Sequence, residues 1–327
     1  MKITVNHTSF SYNLIPYFVG FYSLLVSLIF VPLYYKGDQL LYIEFFNKMQ
    51  VSTEEGVNFY RSKIGAAEFG YFYFIDFFSF IEKNALIIFS NVLMGLLLGF
   101  LAIKAKIRPL FIFFLCISSY YYSLLFSLER LKYSIILVTA SLIIENIILK
   151  RVLLLLSPTF HLQSIFLIYL LNVKSILKLH LDTVVTYINN KIVFSMFLFA
   201  LCFFYFISID LALLISKLLI YRNESLHTYS LLKMLVMILA IFLIGESHIT
   251  RNFLATLPLF LFSIYFGPER LNLFIFLFLI YTSLEEENFL NWLTVLAMIY
   301  SAINGIFFLL STLKYNDGYS LRITDLF

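Results

Sequence analysis

The sequence predicts an all-α, polytopic membrane protein, and three observations carry that reading. Of its 327 residues, 61% are hydrophobic and only 13% charged, whereas soluble domains run near 45–50% apolar and about 25% charged. The apolar residues fall into successive runs close to the roughly 20 residues that a bilayer-spanning helix needs. The basic residues gather in short connectors between those runs, as the charge rule for cytoplasmic loops expects. In lipid every backbone amide needs an internal partner, so spans of this length read as helices.

Ten runs qualify: 14–35, 84–103, 109–128, 131–149, 152–171, 192–209, 231–246, 252–266, 271–284 and 290–313. The run 271–284 is short and can draw on its flanks. Segment 66–81 is aromatic, short and carries Glu68 and Asp76. A full crossing facing lipid would be costly for those carboxylates, so it reads as a short re-entrant or interfacial helix. The stretches from Gln39 to Gln50 and from Lys174 to Lys191 look amphipathic and interfacial. The first run precedes no small-residue cleavage site and reads as a retained span. With no internal repeat, low-complexity linker or second soluble domain visible, a single transmembrane domain over 1–327 is expected.

The connectors Lys104 to Arg108 and Lys150-Arg151 should face the cytoplasm. That places Glu129-Arg130, Glu246 to Arg251 and Glu285 to Glu287 outside. Lys217, Arg222, Lys233, Arg270 and the C-terminus then fall inside. With 66–81 not crossing, the N-terminus is inside and the loop 36–65 outside.

Several function classes lose support. A net charge of +4 spread along the chain argues against a nucleic-acid partner. Cys116 and Cys202 lie in apolar segments and read as small core hydrophobes. No phosphate-binding P-loop, metal-spacing histidine set or Gly-x-Ser-x-Gly elbow occurs, so no metal or cofactor is expected.

Charges at membrane depth are costly and usually functional. In the first cluster, Gly37-Asp38-Gln39-Leu40-Leu41-Tyr42, a helix starting at Asp38 would put Asp38 and Tyr42 on one face. Asp38 could equally cap that helix. In Glu68-Phe69-Gly70-Tyr71 the carboxylate suits a general acid or base, or a salt bridge to an outer arginine. Arg130 sits at a span boundary, where a guanidinium either snorkels to headgroups or binds phosphate in a bidentate manner. Around His161, Pro158 should kink the span, and its polar neighbours imply a protein-lined cavity. His161 can also be a hydrogen-bonded core histidine. His248 and Arg251 form a last cluster near an outer boundary, Arg251 being a second candidate for phosphate. The expectation is that Asp38, Glu68, Arg130 and Arg251 meet at the outer boundary, with His161 and His248 nearby.

The order of these clusters resembles the Wzy/EpsG family of bacterial polysaccharide polymerases. The likeness rests on Gly37-Asp38-x-x-x-Tyr42 after the first span, then Glu68-x-Gly70-Tyr71, then Arg130 opening a span. His161 with Ser164 follows thirty-one residues later, and Arg251 could match a late family arginine. Lys36-Gly37 and Phe69 stand where the family often has a basic pair and a proline. The resemblance implies a GT-C-like glycosyltransferase of the bacterial inner membrane. Its substrates would be undecaprenyl-diphosphate-linked oligosaccharides, with a chain-length regulator as a further partner. It implies Asp38, Glu68 and His161 as catalytic residues. Arg130, Arg251, Tyr42, Tyr71 and His248 would bind diphosphate or sugar. The rival reading is a transporter or flippase of lipid-linked sugars, which also needs intramembrane charge. An O-antigen ligase or an O-acetyltransferase is a further rival, and the short late outer turns argue against the ligase.

Overall fold

The structure, a computed structural model, describes residues 13–65, 68–177, 228–245, 249–266, 268–285 and 291–320. Among them every regular element is a helix and no strand occurs. They fall into two compact units. The first holds the described residues up to Ile64, then Glu68–Ile165 and those from Val295 onward. The second holds Gly65 and the described part of Phe166–Thr294.

In the first unit, α1 (Ile15–Phe30) opens with Pro16, whose missing N–H needs no partner in a first turn. It runs into a 3-10 turn at Val31–Leu33. Its main neighbour is α5 (Lys83–Lys104). The contact is made through small residues. A Cβ at Gly95 would stand 2.9 Å from the Val19 carbonyl oxygen, and one at Gly99 2.9 Å from the Pro16 nitrogen. Small residues let helices approach where lipid supplies no hydrophobic drive between them. One buried polar pair adds to this, Asn91 Nδ2 donating to Ser27 Oγ at 2.9 Å, while Ser23 Oγ of α1 pairs elsewhere, with Tyr121 Oη at 2.5 Å.

Between α1 and α5 lie three short helices, α2 (Asp38–Val51), α3 (Thr53–Ser62) and α4 (Phe69–Phe78). Gly37, at φ +61°, makes the turn into α2, a backbone conformation that glycine adopts without strain. Gly37 therefore holds the cap position, and Asp38 opens the first turn. Ser52 caps α3, accepting from Glu55 N at 3.1 Å. Helix α4 has 10 residues, about 15 Å, which is half a hydrocarbon core. Its C-terminal end is tied to the α2–α3 turn: Thr53 Oγ1 donates to Asp76 Oδ1 at 3.2 Å and Gln50 Nε2 to Ser79 O at 3.0 Å. Helix α4 is therefore shorter than the helices long enough to cross a membrane.

Among the described residues, three helices are long and apolar enough to cross a membrane: α1 with its 3-10 turn, α5, and α14 (Trp292–Tyr315). A fourth candidate is α6 (Pro109–Cys116) joined to α7 (Ser119–Tyr122) and the π turn Ser123–Ser127, bent by 55°. This corrects the expected ten spans. Run 109–128 breaks at Ile117-Ser118, where Ser118 Oγ accepts from Tyr121 N at 3.1 Å and starts a new helix. A Cβ at Gly305 of α14 would stand 3.0 Å from the Ile117 carbonyl carbon, so α14 packs onto that break. Run 131–149 divides because α8 (Glu129–Ile143) stops and Asn146 caps α9 (Ile147–Phe160), accepting from Ile148 N and Leu149 N. Run 152–171 divides after Pro158, where His161 turns extended before α10 (Ser164–Leu177).

The second unit has shorter apolar helices, α11 (Thr228–Ile244), α12 (Ile249–Phe266) and α13 (Pro268–Glu285). Asn252 ties α12 to the end of α11, its Nδ2 donating to Gly245 O at 2.9 Å. Run 192–209 and most of Lys174 to Lys191 lie outside the described residues.

The segment after α14 turns back on the start of α2. Lys36 N donates to Asn316 O at 3.1 Å, Asn316 Nδ2 donates to Tyr35 Oη at 2.7 Å, and Tyr319 Oη donates to Ser123 Oγ at 2.8 Å. The end of α14 and Asp38 thus share one end of the first unit. Lys104 lies at the other end with Ile143, whose carbonyl it meets at 2.9 Å. Residues 316–320 thus lie at the same end as Asp38, whereas the sequence reading placed the C-terminus, which lies outside the described residues, on the opposite side.

Candidate functional site

Three elements converge at the Asp38 end of the first unit: the start of α2, the start of α4 and the start of α8. Each contributes side chains to two adjoining polar clusters.

The outer cluster centres on Glu68. Its Oε2 accepts from Arg130 Nη1 at 2.7 Å, and its Oε1 faces His161 Nδ1 at 3.2 Å. Arg130 Nε donates to Tyr42 Oη at 3.0 Å. Tyr60 also meets Arg130, and its hydroxyl donates to the Glu68 carbonyl at 3.0 Å. Burial pushes the Tyr42 and Tyr60 phenols up, while the nearby guanidinium pulls them back. Both therefore stay neutral. The Glu68, Arg130 and His161 side chains keep 10%, 12% and 15% of their surface exposed, so this cluster reaches solvent.

Local sequence explains why these groups meet. Gly70 lets α4 lie against the last turn of α9, since a Cβ there would clash with the Thr159 side chain and stand 2.9 Å from its carbonyl carbon. Pro158 and the extended His161 end α9 at the level of Glu68. Arg130 lies in the first turn of α8, immediately after Glu129. Asp38 lies at the solvent-exposed start of α2, close enough to act electrostatically on Tyr42, its fourth neighbour along the helix.

The inner cluster centres on Glu129. Its carboxylate accepts from Tyr71 Oη at 2.7 Å and Gln39 Nε2 at 3.1 Å, with Lys83 Nζ at 3.6 Å. Gln39 also donates to Phe126 O at 2.6 Å and accepts from Lys83 Nζ at 3.0 Å. Lys132 Nζ donates to Asn91 Oδ1 at 2.7 Å. Glu129 and Lys132 are each 1% exposed. Such charges persist away from water only when paired and hydrogen-bonded.

Of the residues singled out from sequence, Tyr42, Glu68, Arg130 and His161 form one connected group, with Asp38 at its edge. Tyr71 belongs to the inner cluster. Its ring is 1% exposed and packed among Tyr42, Phe45, Tyr60 and Tyr133, so it offers no open face for a sugar. Arg251 lies in the second unit, 4% exposed, its Nε and Nη2 donating to Asn252 Oδ1 at 3.2 and 3.0 Å. His248 lies outside the described residues. Sequence reasoning missed Gln39, Tyr60, Lys83, Asn91, Glu129 and Lys132 as site-forming groups. Among the described residues, no group of three or more His, Cys, Asp or Glu could hold a metal ion. No protein-family profile, no curated protein and no solved structure matches the chain.

Proposed function

We propose that the chain is a membrane glycosyltransferase that polymerises lipid-diphosphate-linked oligosaccharides. On this reading it crosses a bacterial inner membrane several times and works at the outer face. The observation that carries the reading is a carboxylate held between a guanidinium and an imidazole at the wet edge of an apolar helical protein. Those are the groups that transfer from a lipid diphosphate requires.

In that reaction the bond from the donor's anomeric carbon to its diphosphate breaks, and a bond to an acceptor hydroxyl oxygen forms. Glu68 takes the hydroxyl proton, oriented by His161, a step of the size general bases contribute. Arg130 exchanges Glu68 for the departing diphosphate. Its planar fork suits two phosphate oxygens, and its charge stabilises what develops on the leaving group. Tyr42 holds the guanidinium through Nε during the exchange. Polyprenyl chains lie against the apolar surfaces of the long helices.

The test is complementation of a deletion strain, read as lipopolysaccharide or capsule on gels. Loss of a polymerase leaves single repeat units attached, and Glu68→Gln and Arg130→Ala should reproduce that ladder-free pattern. Normal polymer lengths from both variants would refute the assignment. A deletion strain with no repeat units at the surface would point to a flippase.

A further inference from the structure

Beside the inner cluster lies a half-open cavity of about 100 Å³, walled by Val31, Pro32, Tyr34, Tyr35, Gln39, Ile43, Asn84, Ile87 and Phe126. A single water needs roughly 10–15 Å³ on such a measure, so there is room for several waters or one sugar ring. The walls are of two kinds. Val31, Pro32, Ile43 and Ile87 are aliphatic, whereas Gln39 and Asn84 are amides.

Tyr35 stands at the mouth. Its ring is 46% exposed, yet its hydroxyl is pinned by Asn316 Nδ2 at 2.7 Å. An exposed aromatic held in one orientation offers a flat face at little further entropic cost. The buried Tyr34 hydroxyl lies beside Ser127 but makes no hydrogen bond of normal geometry among the described residues. Buried hydroxyls in that condition are destabilising, and a ligand's hydroxyl could satisfy one. Gln39 joins the cavity wall to Glu129, and Tyr42 lies three residues on along the same helix.

We infer that this cavity is a monosaccharide subsite, with Tyr35 stacking on the apolar face of a pyranose and Asn84 hydrogen-bonding its hydroxyls. The inference rests on the polymerase reading for its biological ligand, a sugar of the lipid-linked repeat unit. It supplies the open aromatic face that buried Tyr71 does not. A lipid chain fits less well, because the Asn84 amide would face hydrocarbon.

The experiment uses the full chain in lipid nanodiscs and a panel of methyl glycosides, with saturation-transfer NMR as readout. At least one glycoside should receive saturation. Asn84→Leu and Tyr35→Ala should each weaken that binding about fivefold, the worth of one good contact. Arg130→Gln should keep glycoside binding while polymer formation is lost. Thermal unfolding of each variant shows whether it is folded, and the exposed Tyr35→Ala should unfold like the wild type. No transfer to any glycoside, or transfer that survives both cavity substitutions, overturns the subsite. Glycoside binding that follows the cavity substitutions, together with normal polymer in Arg130→Gln, would instead sink the polymerase reading and leave the subsite standing.

Discussion

The Glu68 and Glu129 clusters adjoin each other, draw on the same three helix starts, and differ in one respect, access to water. Glu129 is 1% exposed and surrounded by donors on every described side: a phenol, an amide and an ammonium. Glu68 keeps a solvent-facing edge and is held by an arginine and a histidine. A fully enclosed carboxylate can only hold the helices in place. One at the edge can exchange partners. Each helix serves both: α2 gives Gln39 inward and Tyr42 outward, α4 with its preceding residue gives Tyr71 and Glu68, and α8 gives Glu129 and Arg130. The buried cluster thus fixes the elements that carry the accessible one.

The contrast can be broken most sharply at Glu68. On the proposed polymerase reading, Glu68→Gln should cut polymer formation by about 10²–10⁴-fold, the usual range for a general base. Its effect on the unfolding midpoint should be slight, and polymer formation can be assayed with the purified protein and a lipid-diphosphate donor. Glu129→Ala should do the reverse, costing about 3–5 kcal/mol of stability because Lys83 is left buried without its partner. Chemical denaturation in detergent would measure that, and replacing Glu129 and Lys83 together with Leu and Met should recover much of it. Gly70→Ala tests the join between α4 and α9. The added methyl meets Thr159, and overpacking of this kind costs about 1–3 kcal/mol. Tyr42→Phe should have an effect of the same order, removing one hydrogen bond to a guanidinium, worth about 1.5–3 kcal/mol at most. It should show mainly in the donor's KM.

Much of the outer cluster was legible because its residues stand out against apolar surroundings. Glu68, Arg130 and His161 are conspicuous in such a chain, and the orientation of its short connectors brought them to one level. The inner cluster was hidden by the same logic. Glu129 reads as the solvated neighbour of Arg130, yet adjacent helix residues point about 100° apart, so one faces inward when the other faces out. Lys83 and Lys132 belong to no motif that would mark them as internal partners. The helix breaks were also illegible. Nothing in Leu115 to Ser118 is a strong breaker, and the bend there fits the close approach of Gly305. Apolar content predicted lipid as solvent, but continuous spans depend on backbone choices that tertiary packing makes.

The fold-back of residues 316–320 onto Tyr35 and Lys36 has a consequence for sidedness. α1 ends, and α14 ends, at the same pole of the first unit, while Lys104 marks the opposite pole. If both long helices traverse the bilayer, the start of α1 and the end of α14 lie on different faces. A membrane-impermeant maleimide should then modify Asn316→Cys and Asp38→Cys in intact cells and spare Lys106→Cys until the cells are opened.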